Sequence, residues 1–162
     1  MAGGKYGKLL DPGSPAPDFR LPQLDGGTVA LQEILAKGPA LIAFFKTTCP
    51  VCQLTFPFLE RIHKGGTLPV YAVSQDDAED TREFNREFGL TLPTLLDTGR
   101  SGYPASEAFG ISSVPSAFLI ERDGGIARVI VGWSKRDMES LGGLAGAQVF
   151  RQGENVPEWK AG

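Results

Sequence analysis

A continuous apolar run over residues 40–45 is followed, after three further residues, by the motif Cys49-Pro50-Val51-Cys52. A run of this length bounded by turn residues is typical of a strand buried on both faces of a sheet. Beyond the motif, apolar residues recur at helical spacing as far as Ile62, and Gly65-Gly66 marks the end of that helix. The motif is therefore predicted to join a central strand to a helix, an arrangement typical of α/β folds.

The chain contains only two cysteines among its 162 residues, and they lie three positions apart. A disulfide between them would close a very small loop, so it would contribute little stability through chain entropy. A single domain of this length can bury a substantial core without a cross-link. Chemistry therefore explains the cysteine pair better than structural stabilisation does.

The charge and hydropathy of the chain restrict the kinds of partner and the cellular location that we expect. The formal net charge is -3 and no basic run is present, which argues against binding to nucleic acid or to an anionic membrane. No apolar run approaches the roughly 20 residues that span a bilayer, so stable membrane insertion is not expected. The first ten residues contain Lys5 and Lys8 but no long apolar stretch, and they do not read as a signal peptide. The sequence as written predicts a cytoplasmic protein, or a periplasmic or exported one if the N-terminus is truncated.

The remaining patterns predict one domain of alternating strands and helices. We expect an irregular lead-in over residues 1–15, a domain over residues 16–150, and a polar C-terminal tail without regular structure over residues 151–162. Hairpin turns are predicted around Gly26-Gly27 and Asp123-Gly124-Gly125. Helices are predicted within 31–37, 49–64, 77–89, 105–109 and 134–149, and strands within 40–45, 68–74, 93–97, 116–121 and 126–131. With right-handed crossovers, this order gives a mixed central sheet flanked by helices.

Several short stretches carry a family resemblance. They are Ala16-Pro17-Asp18-Phe19, then Phe44-Phe45 ahead of the cysteine motif, then Phe56-Pro57, and finally Val114-Pro115-Ser116-Ala117-Phe118-Leu119-Ile120 followed by Asp123-Gly124. Together these stretches resemble the thioredoxin superfamily, and within it the TlpA/ResA-type, or redoxin-like, branch. The resemblance implies a thioredoxin-like fold with an N-terminal β-hairpin extension, and a thiol–disulfide oxidoreductase whose redox-active centre is the CxxC motif. It also implies protein thiols and disulfides as partners, with an upstream protein that supplies or accepts electrons.

The two cysteines are expected to have different roles. Cys49 falls at the predicted helix start, where unpaired backbone N–H groups and the helix dipole favour a thiolate, so it is the expected nucleophile. Cys52 lies one turn further along and is the expected shielded, resolving thiol. Pro50 falls near the first helical position, where proline removes no hydrogen bond. Pro50 and Val51 tune the redox potential, and we expect both to contact the substrate.

The resemblance also places Val114-Pro115 at the cis-proline loop that faces the cysteines in this superfamily. The low general frequency of cis X–Pro bonds would favour a trans bond, but the family pattern predicts cis. In that loop the backbone before Pro115 would pair with an extended substrate segment. Val114 and Pro115 are thus the further candidate substrate-binding residues. For the direction of electron flow, we favour reduction of substrate disulfides.

Three positions depart from the family pattern. Thioredoxins carry a buried acid six residues before the first cysteine, where this chain has Ala43. Many TlpA-type proteins carry a Glu three residues after the second cysteine, where this chain has Thr55. The residue before the first cysteine, usually Trp, is Thr48. The sequence therefore identifies no side chain that would take the proton from the resolving thiol.

Two alternative functions remain open at this point. A peroxiredoxin-like thiol peroxidase would show a Pro-x-x-x-Thr-x-x-Cys pattern, but Ile42 and Lys46 occupy the Pro and Thr positions. A copper-binding chaperone could use the two thiolates alone. The single histidine, His63, is about 16 Å along the helix from the cysteines, too far to complete a tetrahedral site. We therefore expect no metal in the redox centre, and we infer no bound organic cofactor.

Overall fold

The computed structural model describes residues 8–162, so the part of the lead-in that includes Lys5 lies outside the described residues. The strands are β1 (Arg20–Pro22), β2 (Thr28–Ala30), β3 (Ala40–Phe45), β4 (Val70–Ser74), β5 (Thr94–Leu96), β6 (Ser116–Ile120), β7 (Ile126–Val131), β8 (Trp133–Ser134) and β9 (Trp159–Lys160). The helices are α1 (Leu31–Leu35), α2 (Pro50–Gly65), α3 (Ala78–Phe88), α4 (Pro104–Phe109) and α5 (Lys135–Ala145), with one 3₁₀ turn at Gly99–Ser101.

Five strands form a mixed central sheet in the order β5-β4-β3-β6-β7. Strand β3 lies in the middle, parallel to β4 and antiparallel to β6. All six residues of β3 are buried, as the apolar run predicts. Strands β1 and β2 pair as a separate antiparallel hairpin ahead of the sheet, which confirms the predicted N-terminal extension.

Aromatic side chains pack helices onto both faces of this sheet. Successive residues of a strand point to opposite faces, so Phe44 and Phe45 of β3 face different layers. The Phe44 ring lies 5.3 Å from that of Phe109 in α4, whereas the Phe45 ring lies 4.5 Å from that of Phe56 in α2. Ring separations in this range are typical of favourable aromatic pairs. The start of α2, which carries the cysteines, is thereby anchored to the central strand.

Two helix ends illustrate how local sequence sets the element boundaries. Asp77 precedes α3 and its carboxylate accepts a hydrogen bond from Asp80 N at 2.9 Å, as a capping residue should. Helix α5 ends at Ala145 and is followed by Gly146, whose φ of 74° is readily adopted only by glycine. The prediction that α5 continues to residue 149 is therefore wrong, because the left-handed Gly146 ends the helix four residues earlier, at Ala145.

The segment after residue 150 also differs from its prediction. It contains β9, which pairs antiparallel with β8 in a ladder of two residues on each strand. The beginning of this segment is attached to α2, because Arg61 forms a bidentate ion pair with Glu154. Both N–O distances in this pair are 2.7 Å. A two-residue ladder has no periodicity to detect, so the sequence predicted no regular structure there.

Within residues 8–162, no helix combines the length and the apolar character needed to cross a bilayer.

Candidate active site

Cys49 is the residue that precedes α2, and its sulfur takes part in the first turn of the helix. Cys52 N donates a hydrogen bond to Cys49 Sγ at 3.2 Å. This bond satisfies one of the backbone N–H groups that a helix start leaves without a partner. Pro50 occupies the first helical position, as expected. Cys49 is partly exposed, so its sulfur is placed where an attacking thiolate is needed.

Cys52 lies one turn into α2 and is 0% exposed. Both cysteines are free thiols. Burial raises the pKa of the Cys52 thiol well above its usual range, because the thiolate would lose its hydration. The neighbouring Cys49 thiol raises the pKa of Cys52 further, and the negative charge of Asp76 acts in the same direction. The two thiols therefore sit in different environments although only two residues separate them.

The loop before β6 meets the cysteines from the other side. The Val114–Pro115 peptide bond is cis, as the sequence predicts. The Cys49 thiol donates a hydrogen bond to Val114 O at 3.4 Å. Val114 is only 8% exposed and Pro115 is buried, whereas Pro50 is exposed and Val51 is half-buried. The structure thus gathers all four candidate substrate-binding residues around the cysteine pair.

The positions of the missing family acids are filled by residues that make other contacts. Ala43 is 0% exposed within β3. The Thr55 hydroxyl donates a hydrogen bond to Val51 O at 2.7 Å, so it serves the helix backbone. Neither side chain carries a carboxylate that could accept the proton of Cys52.

An acidic residue that no sequence motif marked lies beside the site. Asp76 follows β4, and its Oδ2 accepts a hydrogen bond from Thr47 N at 2.7 Å in the loop ahead of Cys49. Gln53 supports the same loop by donating to Thr47 O at 3.1 Å. Because β3 and β4 are parallel, the residues after each strand meet at the same edge of the sheet. That rule was the signal that could have placed Asp76 near the cysteines.

A cleft of about 230 Å³ opens next to Val114. Its lining residues are Lys46, Gln75, Tyr103, Ser106, Glu107, Ile111, Ser112, Ser113 and Val114. Helix α4 forms one wall of this cleft. Asp97 fixes the start of α4 by accepting hydrogen bonds from Ala105 N at 2.9 Å and Ser106 N at 2.7 Å. Gln75 then donates to the Ser106 hydroxyl at 2.9 Å. The cleft offers a mostly polar approach to the loop that faces Cys49.

The residues weighed for the alternative functions lie in other settings. Ile42 is buried within β3, and Lys46 is exposed after it. His63 Nδ1 accepts a hydrogen bond from Val70 N at 3.0 Å, so the imidazole ties α2 to the start of β4. Among residues 8–162, no cluster of three or more His, Cys, Asp or Glu side chains is arranged to hold a metal ion.

Comparison with known proteins agrees with this geometry. Residues 12–129 match the family described as AhpC/TSA. The thiol–disulfide oxidoreductase ResA of Halalkalibacterium halodurans is 30% identical over 134 residues, which are 80% of this chain and 74% of that protein. ResA of Bacillus subtilis is 27% identical over 133 residues, 80% of this chain and 72% of its own length.

Solved structures give the same result for the fold. A thio-disulfide isomerase from Thermus thermophilus superimposes with a TM-score of 0.65 at 29% identity, covering 86% of this chain and 99% of the other. The chain therefore belongs to the AhpC/TSA family, in which it is a TlpA/ResA-type thiol–disulfide oxidoreductase with a thioredoxin-like fold.

Proposed function

We propose that the protein works as a disulfide reductase, with Cys49 as the attacking thiol and Cys52 as the resolving thiol. The assignment of these two roles rests on the difference in solvent exposure between the two thiols. Cys49 is partly exposed at the start of α2, whereas Cys52 is 0% exposed one turn further along. Attack requires a thiolate that can reach a substrate sulfur, and only Cys49 meets that condition before a substrate binds.

The exchange proceeds in two balanced steps. The Cys49 thiolate attacks one sulfur of the substrate disulfide, forming a mixed disulfide and releasing the other substrate sulfur as a thiolate. Cys52 then loses its proton to solvent and its thiolate attacks Cys49 Sγ, which breaks the mixed disulfide and releases the second substrate sulfur as a thiolate. The substrate is reduced by two electrons, and the protein is left with a Cys49–Cys52 disulfide. An upstream dithiol protein reduces that disulfide for the next cycle.

The substrate contacts are proposed to be Val114, Pro115, Pro50 and Val51. Pro50 and Val51 line the exposed start of α2 next to Cys49. The Val114 backbone lies within hydrogen-bond reach of Cys49 Sγ, so an extended substrate segment paired there would bring its own sulfur close to the attacking atom. The cleft beside Val114 leaves room for the residues that flank the substrate cysteine.

Trapping the mixed disulfide tests the two roles directly. In Cys52→Ser the second step is blocked, so Cys49 should remain joined to its substrate when the variant is expressed in its native cell. The adduct should disappear on addition of dithiothreitol, and mass spectrometry of the released chain identifies the partner. Cys49→Ser is the matched control and should trap nothing.

The direction of electron flow is tested by the reduction potential of the purified protein. Equilibration with dithiothreitol should give a potential more negative than about -200 mV, in the range of reducing members of the superfamily. A potential near the roughly -120 mV of strong oxidants would overturn the reductase assignment. Absence of any adduct in Cys52→Ser, together with absence of exchange in the wild type, would overturn the proposed roles.

A further inference from the structure

The segment from Pro157 to Gly162, which we call the strap, crosses the protein beside the cis-proline loop. The first part of the strap is held by hydrogen bonds that its backbone carbonyl oxygens accept from β8 and the start of α5. Trp133 Nε1 donates a hydrogen bond to Pro157 O at 2.6 Å, and Lys135 N donates one to Glu158 O at 2.9 Å. Trp133 is 0% exposed, so the strap is attached to a rigid part of the core.

The second part of the strap lies against Val114 and Pro115 themselves. Gly132 lies between the cis-proline loop and the strap. Its N–H donates a hydrogen bond to Pro115 O at 2.8 Å, and its Cα faces the strap. A Cβ on Gly132 would lie 2.5 Å from Lys160 O. A Cβ on Gly162 would lie 2.9 Å from the Val114 carbonyl carbon and nearer still to its oxygen. The close approach of backbone to backbone therefore depends on glycine at both positions.

The Val114 carbonyl is consequently approached from two directions. The Cys49 thiol donates to its oxygen, and Gly162 of the strap packs against the same group. This carbonyl belongs to the backbone that the proposed function assigns to pairing with substrate. The cleft and the strap both lie next to Val114, but none of the residues lining the cleft belongs to the strap.

The strap is attached weakly enough to move without unfolding the domain. From Glu158 onward every residue of the strap is exposed, and Trp159 is 64% exposed, so these side chains add little to the core. The ion pair between Lys135 and Glu158 has an N–O distance of 3.6 Å and Glu158 is 84% exposed, so it contributes little. A two-residue ladder at a sheet edge belongs to the parts of a fold that open locally most easily.

We propose that the strap is a specificity-determining element that covers the Val114 carbonyl until a protein substrate displaces it. A substrate that pairs its backbone with Val114 has to replace Gly162 and its neighbours. A small disulfide that touches only Cys49 does not. This inference rests on the proposed function, because it concerns access to the same redox centre.

The test compares the reaction of the 162-residue chain with one large and one small disulfide. In Gly162→Ala the new methyl group would overlap the Val114 carbonyl, so the end of the strap has to lift away. The matched control is Gly143→Ala on the exposed side of α5, where an added Cβ meets nothing within 4 Å. Rate constants are measured in single turnovers of the reduced protein with insulin and with 5,5′-dithiobis(2-nitrobenzoic acid).

We expect Gly162→Ala to react with insulin about two- to tenfold faster than the wild type, because crowding by the new methyl group shifts the local opening of the strap towards the uncovered state. Its rate with the small disulfide should be unchanged, and Gly143→Ala should match the wild type with both reagents. Equal insulin rates for Gly162→Ala and the wild type would overturn the strap proposal alone. A wild-type protein that exchanges with neither reagent would instead overturn the proposed function.

Hydrogen exchange provides a second measurement that does not depend on the Gly162 variant. Cys52→Ser is joined through Cys49 to insulin, or to the small thionitrobenzoate group, and exchange is followed by mass spectrometry. Peptides covering residues 157–162 should exchange faster in the insulin adduct than in the thionitrobenzoate adduct. Unchanged or greater protection of the strap in the insulin adduct would contradict its displacement.

Discussion

The thiol of Cys49 donates a hydrogen bond to the carbonyl oxygen of Val114 at 3.4 Å, across 65 positions of the chain. This contact joins the start of α2 to the loop before β6. It places the attacking sulfur next to the backbone group proposed to pair with substrate. The chemistry of the site and the recognition of its substrate are therefore positioned by one contact between two elements of the fold.

The burial difference between the two cysteines predicts unequal alkylation. At pH 7 the reduced protein should react with iodoacetamide at Cys49 at least about tenfold faster than at Cys52, since burial both shields Cys52 and raises its pKa. Mass spectrometry of the cysteine peptide after partial reaction measures the ratio. In Cys49→Ser, slow labelling of the remaining thiol is the control. Similar rates at both thiols would contradict the assigned roles.

The charge of Asp76 is predicted to influence Cys52. Burial is the largest cause of the raised pKa of Cys52 and remains in the variant, but a nearby negative charge also disfavours a thiolate, so Asp76→Asn should lower that pKa slightly. The amide oxygen of Asn can still accept the hydrogen bond from Thr47 N, so the loop should keep its shape. The measurement is the pH titration of thiolate absorbance in a Cys49→Ser background, where one thiol remains.

Asp77→Asn in the same background is the matched control. Asn is as good a helix-capping residue as Asp, so this variant removes a neighbouring charge while leaving the start of α3 intact. It should shift the pKa of Cys52 less than Asp76→Asn does. Equal shifts in the two variants would show that Asp76 has no particular role at the site.

The Arg61–Glu154 pair predicts a defined dependence of stability on acid. Hydrogen bonds from Arg61 lower the pKa of Glu154 to about 2, below the roughly 4.3 expected in the unfolded chain. A lowered pKa in the folded state gives stability that is present above pH of about 5 and is lost as pH falls towards 2. Glu154→Gln should therefore lower the Tm at pH 7, and this deficit should shrink as the pH approaches 2.

Glu158→Gln is the control for that series, because its ion pair is long and exposed. Thermal unfolding followed by circular dichroism should show little difference from the wild type at any pH. A deficit in Glu154→Gln that stays constant from pH 7 to pH 2 would contradict the assignment.

Asp97 is predicted to be important for stability, because it is 0% exposed and supports the helix that lines the cleft. Asp97→Ala leaves the buried N–H groups of Ala105 and Ser106 without their acceptor. The free energy of unfolding should fall by about 3 kcal/mol in urea titrations. Glu107→Ala, on the exposed side of the same helix, should change it by less than about 0.5 kcal/mol. A similar small change in Asp97→Ala would contradict the prediction.

Patterns within about ten residues were sufficient to predict the frame of the site. The apolar run of β3 matched the observed strand residue for residue. The cysteine motif at a helix start and the helix that follows Asp77 were likewise predicted from local sequence and observed in the structure. Such features are encoded locally, because burial on both faces, helix capping and turn formation each require particular residue types at short spacings.

Contacts between distant segments had no such signal. No sequence pattern indicated a partner for Asp76, and none predicted regular structure after residue 150, whereas the structure joins Asp76 to Thr47 and Arg61 to Glu154. It also brings Gly162 against Val114. The two side-chain contacts join residues that are 29 and 93 positions apart, and the Gly162 contact involves only backbone atoms. No periodic pattern in the sequence predicts contacts of either kind. Amino-acid sequence alone thus established where the thiols lie in the fold, and the packing of separate elements established what surrounds them, because that packing depends on the whole chain closing around one core.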